Sequence, residues 1–183
     1  MNPPPHNEAI IIRHAGINDV PALAAMHVET FNETHGFNPN GPTVELRSYQ
    51  WQKMFEAKDD SWFCLVLENA SAQLIGFAKG QPYQHADLPD YAGELNKIYL
   101  LRRYHRTGLG KQLICKVAKE FIERHINSML LFGDTRNPSN GFYEHMGAEK
   151  LRSKQGEFHG GYGWKNLQVI IEHCQPNWND TAA

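Results

Sequence analysis

The residues of this chain that are best suited to chemistry lie in one stretch, residues 98–111, where a strand-like run leads through basic and glycine residues into a helical pattern. Backbone N–H groups at a helix N-terminus have no partners within the helix, and the helix dipole favours an anion beside them. Gly108 and Gly110 let a phosphate approach the backbone closely, while Arg106 and Lys111 add positive charge. Since each dipole contact contributes only about 0.3–1 kcal/mol, several must converge. The pattern predicts a turn that binds a pyrophosphate.

Two common phosphate loops do not fit this turn. The Walker A pattern would need Gly at His105 and Ser or Thr at Gln112. The dinucleotide pattern would need a third Gly at Leu113. The stretch is therefore either another kind of anion site or a glycine-containing helix start with ordinary surface arginines.

The size and charge of the chain narrow the classes of function. Its 183 residues suit one domain, which we expect to span residues 8–174 between a disordered lead (1–7) and a frayed tail (175–183). The formal net charge of −2, without a block of Lys or Arg, gives no support for nucleic-acid binding. No run of about 18 apolar residues exists, so no membrane span is expected.

The cysteines and histidines indicate neither a metal site nor a disulfide framework. Cys64, Cys115 and Cys174 are far apart and odd in number, and no CxxC pair is present. The ten histidines form neither an HExxH motif nor a pair four residues apart on a predicted helix. The sequence predicts no bound metal and, by default, a cytoplasmic protein.

The elements that must position the turn follow from hydrophobic periodicity. A stripe of Leu109, Leu113, Val117 and Phe121 recurs every four residues and predicts a long helix directly after the turn. A strand–helix–strand unit over residues 94–134 predicts a parallel crossover, within a mixed α/β sheet that has helices on its faces. The predicted strands are 8–14, 61–68, 73–83, 94–101, 128–134, 148–153 and 162–171; the predicted helices are 19–34, 43–58, 108–125 and 138–146.

The turn resembles the acetyl-CoA signature of the GNAT superfamily of N-acetyltransferases, Gln/Arg-x-x-Gly-x-Gly/Ala after a strand. Gly108 and Gly110 are in register with it, and His105 stands where Gln or Arg is usual. That departure weakens one contact and leaves the backbone cradle intact.

Two later segments extend the resemblance, which covers about residues 8–170. Residues 137–148 are similar to the family block Asn-x5-Tyr-x3-Gly, with Asn137, Tyr143 and Gly147 in register. The segment 161–164, GYGW, is similar to the ending of one bacterial branch.

The resemblance implies a fold and an activity. The fold would be a mixed, mostly antiparallel sheet of about seven strands with flanking helices. The enzyme would be an acyltransferase for groups other than aminoacyl, moving an acetyl group directly from acetyl-CoA, a co-substrate, to a primary amine without a metal. The acceptor would be a small-molecule or peptide amine: a polyamine, amino acid, aminoglycoside, peptide N-terminus or protein lysine. Family members are often dimers, so a homodimer is allowed.

The resemblance also assigns roles to residues. Tyr143 would protonate the leaving thiolate, and Glu94 would accept the amine proton. The residues expected to bind acetyl-CoA are Ile98, Tyr99, Leu100, His105, Arg106, Thr107, Gly108, Leu109, Gly110, Lys111, Asn137 and Tyr143. Plainer alternatives are core packing for Tyr143, a surface carboxylate for Glu94 and an Asx turn for Asn137.

Other functions fit the same pattern. A non-catalytic acyl-CoA sensor on this fold is one, a user of longer acyl chains or hydroxyl acceptors is another, and a protein-interaction module without a ligand is a third. Four aromatic side chains either line an acceptor pocket or belong to the core: Phe31, Trp51, Tyr83 and Tyr91.

Overall fold

The computed structural model describes residues 9–57 and 59–174, and the predicted lead and tail lie outside this part. The strands are β1 (Ile11–His14), β2 (Phe63–Glu68), β3 (Leu74–Pro82), β4 (Gly93–Leu100), β5 (Met129–Phe132), β6 (Glu149–Arg152) and β7 (Phe158–Trp164). The helices are α1 (Val20–His35), α2 (Val44–Glu56), α3 (Leu109–Glu123), α4 (Asn140–His145) and α5 (Gln168–Cys174).

The strands form one seven-stranded sheet in the order β1-β2-β3-β4-β5-β7-β6. The pairs β1/β2, β2/β3, β5/β7 and β6/β7 are antiparallel. The pair β4/β5 is parallel, because α3 carries the chain back to the starting edge before β5 begins. The predicted fold class and the predicted parallel unit are both confirmed.

By its internal contacts, the chain divides into two compact units. The first unit holds the residues up to Gln81 together with Lys97–Leu113, and the second holds Pro82–Asn96 together with the residues from Ile114 onward. Both β4 and α3 are shared between the units.

The long helix α3 forms for the reason that the sequence indicates. Leu109, Leu113, Val117 and Phe121 are all buried, and they lie on one face because they are four residues apart. Burying a side chain of this kind contributes about 1.5–3 kcal/mol. Nowhere in residues 9–57 and 59–174 is a helix long and apolar enough to cross a membrane.

The predicted last strand, residues 162–171, is wrong in its second half. Strand β7 ends at Trp164, and α5 begins at Gln168, whose N–H donates to Asn166 Oδ1 over 2.9 Å. The β-branched run Val169–Ile171 favours a strand by propensity. Leu167 and Ile170, however, are three residues apart and both fully buried, so a helical turn buries the apolar side chains on one face.

The structure also contains a disulfide bond that the sequence does not indicate. It joins Cys115 on α3 to Cys174 at the end of α5, across a sequence separation of 59 residues. Cys64 is buried and unpaired, and burial raises the pKa of its thiol to about 12. The expectation that no disulfide forms is therefore corrected, because tertiary packing brings two distant cysteines together.

Candidate functional site

Strand β4 is the fourth of seven strands, yet its second half is not fully buried. Ile98, Tyr99 and Leu100 are all partly exposed. The parallel ladder with β5 consists of two residue pairs, Gly93 with Met129 and Glu94 with Leu130. The later residues of β4 lie beyond those pairs.

The chain leaves β4 through a short 3-10 helix, Arg102–Tyr104, which is tied to α1. The backbone N–H of Arg102 donates to Glu33 Oε2 over 2.9 Å, and its guanidinium donates to the Glu33 carbonyl. Arg103 pairs with Glu29 over 3.3 Å. These contacts fix where the following turn begins.

The turn itself contains two residues in the left-handed region, Arg106 at φ 62° and Gly108 at φ 85°. The Thr107 hydroxyl donates to the Tyr104 carbonyl over 2.6 Å and closes the turn. His105 Nε2 lies 2.8 Å from the Leu100 carbonyl. Since a carbonyl only accepts, Nε2 carries the proton in this bond, and His105 braces the end of β4.

Helix α3 starts directly after this turn. The Gln112 N–H donates to the Gly108 carbonyl over 3.1 Å, so the N–H groups of residues 109–111 precede the first helical bond. A Cβ placed on Gly108 would meet no atom within 4 Å, so the space beside this backbone is open. The exposed side chains of Arg106 and Lys111 flank it. Turn and helix start together form a cationic surface with backbone donors.

The residues predicted around the turn therefore belong together in the first unit. That set comprises Ile98, Tyr99, Leu100, His105, Arg106, Thr107, Gly108, Leu109, Gly110 and Lys111. The other predicted site residues, Glu94, Asn137 and Tyr143, belong to the second unit.

Asn137 forms the Asx turn that the sequence allows as its plainer role. Its Oδ1 accepts from the Ser139 N–H over 2.9 Å, and its carbonyl accepts from the Asn140 N–H over 3.1 Å. This turn leads into α4 and sets the position of the helix.

Tyr143 lies on α4 and is 7% exposed. Its ring contacts Tyr162 at 5.5 Å and Trp164 at 6.4 Å between centroids. The indole N–H of Trp164 donates to the Met146 carbonyl over 2.8 Å, which joins β7 to the end of α4. The ring of Tyr143 is therefore held in a fixed place by its neighbours.

The turn after α4 confirms the predicted helix end. Gly147 has φ 82°, and a Cβ there would lie 2.5 Å from Val169 on α5. Only glycine fits both the conformation and the close approach.

Glu94 is partly exposed near the start of β4. The Asn96 amide donates to Glu94 Oε1 over 3.2 Å. The pKa of Tyr83 is raised by desolvation, then by the charges of Glu94 and Asp87. Glu94 therefore acts in a neighbourhood of the second unit where a phenol keeps its proton.

The aromatic residues considered for an acceptor pocket separate into two groups. In the second unit, Tyr91 lines an open cavity of about 430 Å³ with Gln84, His85, Ala86 and Pro89, and Tyr83 stacks on His85. In the first unit, Phe31 contacts His35, and Trp51 belongs to a buried cluster of rings.

That buried cluster centres on His27, a residue that the sequence places only on the apolar face of α1. The His27 ring lies 6.1 Å from Trp51, 5.3 Å from Phe77 and 5.3 Å from Tyr99. Burial lowers the pKa of His27 to about 3, with smaller contributions from the charges of Arg47 and Lys97. A histidine within an apolar helical stripe is the one sequence signal that points to it.

In the described ranges, no group of three or more His, Cys, Asp or Glu side chains is arranged to hold a metal ion.

Comparisons with known proteins add a family to this geometry. The model of the acetyltransferase (GNAT) family matches residues 24–148, more than half of the chain. An uncharacterised N-acetyltransferase of Bacillus subtilis (strain 168), YuaI, is 26% identical over 173 residues, covering 88% of this chain and 96% of that protein.

Solved structures show the same fold. A GNAT-family acetyltransferase from Staphylococcus aureus Mu50 superimposes with a TM-score of 0.69 at 16% identity, covering 87% of this chain and 99% of that one. The PaiA N-acetyltransferase of Thermoplasma acidophilum, solved with coenzyme A, has a TM-score of 0.63 at 19% identity, covering 85% of this chain and 98% of that one.

Proposed function

Since this chain belongs to the acetyltransferase (GNAT) family and is an acyltransferase, we propose that it moves an acetyl group from acetyl-CoA directly to a primary amine. The observation that carries the proposal is the turn between β4 and α3. It combines two left-handed residues, Arg106 and Gly108, with an open helix N-terminus flanked by cationic side chains. Such a surface suits the pyrophosphate of an acyl-CoA, since backbone donors, the helix dipole and positive charge act on the same anion.

Asn137 and the second half of β4 complete the proposed set of acyl-CoA-binding residues. Ile98, Tyr99 and Leu100 offer partly exposed backbone, which suits hydrogen bonds to the amide groups of a pantetheine arm. Asn137 would contribute its side-chain amide nitrogen, because its Oδ1 already accepts from Ser139.

Acetyl-CoA supplies the thioester, and the chain must manage two protons. Glu94 would take the proton of the amine as the nitrogen forms its bond to the acetyl carbon. Tyr143 would give its phenolic proton to the departing sulfur as the carbon–sulfur bond breaks. A backbone N–H of β4 would stabilise the oxyanion between these events. Direct transfer fits because Cys64, the free cysteine, is buried with a raised pKa, so it is a poor nucleophile.

The proposal extends to the chain as a whole. We expect one catalytic domain over residues 8–174, a small-molecule or peptide amine as acceptor, and action in the cytoplasm, with a homodimer allowed. Because disulfides are rare in the cytoplasm, the Cys115–Cys174 pair makes the thiol count of protein purified under native conditions a direct check on that location.

Isothermal titration calorimetry with acetyl-CoA tests the core of the proposal. Wild-type protein should bind it with a micromolar constant that weakens with salt, because part of the affinity comes from phosphate contacts. Gly108→Val should abolish binding, since the new side chain enters the open space beside the turn.

A matched control separates this effect from backbone strain. Gly156 has φ 87° and equally open surroundings, but it lies in the turn between β6 and β7. Gly156→Val should therefore carry the same conformational cost and bind acetyl-CoA normally. If folded Gly108→Val binds as well as this control, the acyl-CoA site lies elsewhere.

A further inference from the structure

The cluster of rings around His27 contains a feature that core packing does not explain. Two of its polar atoms, His27 Nδ1 and Arg47 Nε, are buried and have no hydrogen-bond partner among the described residues. Leaving a buried polar group unsatisfied costs about 1–3 kcal/mol, and more for a charged group. Native proteins retain such groups rarely, and often where a ligand completes them.

The surroundings of these two atoms favour a negative ligand. The Arg47 guanidinium donates through Nη1 to a neutral acceptor, Gln50 Oε1, over 2.8 Å. Burial keeps the His27 imidazole neutral near pH 7, since its pKa is lowered to about 3. The charges that act on His27 are those of Arg47 and Lys97, both positive. The region therefore holds positive charge beside a neutral ring that donates from one nitrogen.

The cluster is accessible from one side. His27 and Trp51 are 2% and 1% exposed and form its buried floor, whereas Arg47, Lys97 and Tyr99 are partly exposed. Tyr99 belongs to the half of β4 proposed to bind acetyl-CoA, and its ring lies 5.3 Å from that of His27. A molecule that contacts Arg47 and His27 would thus be one ring away from β4.

We propose that Arg47 and His27 bind a carboxylate of the acceptor, so that the substrate is an amine carrying a carboxylate a few bonds from its nitrogen. The inference rests on the proposed acetyl transfer and adds the class of acceptor. One carboxylate oxygen accepts from Arg47 Nε–H and the other from His27 Nδ1–H, which satisfies both buried atoms. Charge-assisted bonds of this kind are about twice as strong as neutral ones.

Matched pairs of acceptors test this directly. Glycine with glycinamide, and L-methionine with L-methioninamide, differ only in replacing the carboxylate by a neutral amide of similar size. With acetyl-CoA and wild-type protein, kcat/KM should be at least about 10-fold higher for the carboxylate in at least one pair. The amide member has the less basic amine, so chemistry alone would favour the opposite order.

Variants of Arg47 locate the preference. Arg47→Gln should lower kcat/KM for the carboxylate by about 10–100-fold and change that for the amide by less than about 3-fold. Arg47→Lys should fall between, since it keeps the charge and loses the planar fork. Arg152→Gln, which removes an exposed arginine in β6, is the matched control and should leave both values unchanged.

Titration with acetyl-CoA distinguishes the two ways of failing. If wild-type protein binds no acetyl-CoA, the proposed function itself fails. If acetyl-CoA binds but the amides are used as well as the carboxylates, or neither is used, the carboxylate site is overturned and the cofactor site stands. An unchanged preference in folded Arg47→Gln also overturns it and assigns the two buried atoms to bound water.

Discussion

His27 should make the stability of this protein unusually sensitive to mild acid. Its imidazole is 2% exposed, and its pKa is lowered from 6.5 to about 3, mainly by burial. Between these values the unfolded chain holds a proton that the folded protein does not. The unfolded state therefore binds more protons, and the free energy of unfolding falls as pH decreases below 6.5.

The size of the effect follows from the shift. From pH 7 down to pH 4.5 the unfolded imidazole gains about two pH units of protonation while the folded one stays neutral. At about 1.36 kcal/mol per unit, His27 alone should cost the wild type about 3 kcal/mol over this range. That is a large share of a typical stability of about 5–15 kcal/mol.

The assay is urea unfolding at pH 7 and pH 4.5 for wild type and His27→Leu. Leucine is apolar and does not titrate, so the variant should lose about 3 kcal/mol less than the wild type on acidification. His159→Leu removes an exposed imidazole and should behave like the wild type. The comparison uses differences between two pH values, so any pH-independent packing cost of the variant cancels.

An equal loss in wild type and folded His27→Leu would refute the reasoning. It would mean that the imidazole takes up a proton in the folded state, which the packed rings of Trp51, Phe77 and Tyr99 would then have to accommodate. Proton titration of the His27 ring by NMR gives the same answer independently.

Three further predictions concern catalysis and the disulfide. Tyr143→Phe should lower turnover by about 10²–10³-fold, the lower part of the acid–base range, and leave acetyl-CoA affinity nearly intact; steady-state rates and calorimetry measure both. Glu94→Gln should cut the rate at pH 7 by about 10–10³-fold, and the deficit should shrink towards pH 9–10 (approximately), because an alkylamine then arrives deprotonated. Cys115→Ser should lower the free energy of unfolding by up to about 4 kcal/mol, the chain-entropy value for a loop of 59 residues, measured by urea unfolding.

Each of these has an outcome that contradicts it. An unchanged rate in Tyr143→Phe would return the ring to a packing role against Tyr162 and Trp164. A ratio of variant to wild-type rate that does not vary with pH would remove Glu94 from proton transfer. For the disulfide, adding a thiol reductant should destabilise wild type to the level of Cys115→Ser and leave the variant unaffected; equal stability of all samples would show that the bond contributes nothing.

The order of elements and the family blocks could be predicted because their causes are local. The α3 stripe from Leu109 to Phe121 repeats every four residues, and that spacing selects one buried helix face whatever else the chain does. The end of α4 at Gly147 is likewise local, since a left-handed residue ends a helix. The parallel β4/β5 pair follows because a helical connection of this length returns the chain to the same edge.

Other features depend on residues far apart in the chain. The run Val169–Ile171 favours a strand by itself, and only the burial of Leu167 and Ile170 makes it part of a helix. Cys115 and Cys174 are 59 residues apart, and no spacing rule pairs them.

The interior around His27 is the clearest case of a feature that only tertiary structure decided. In sequence, His27 is one polar residue in an apolar stripe of α1, and Arg47 is one of many charges on α2. Their significance arises because strands β3 and β4 bring Phe77 and Tyr99 against both helices and exclude water from Nδ1 and Nε. Burial and lost hydration are properties of the packed chain, so a pattern of residue types specifies which side chains can do chemistry, and only the fold determines which of them are left without a partner.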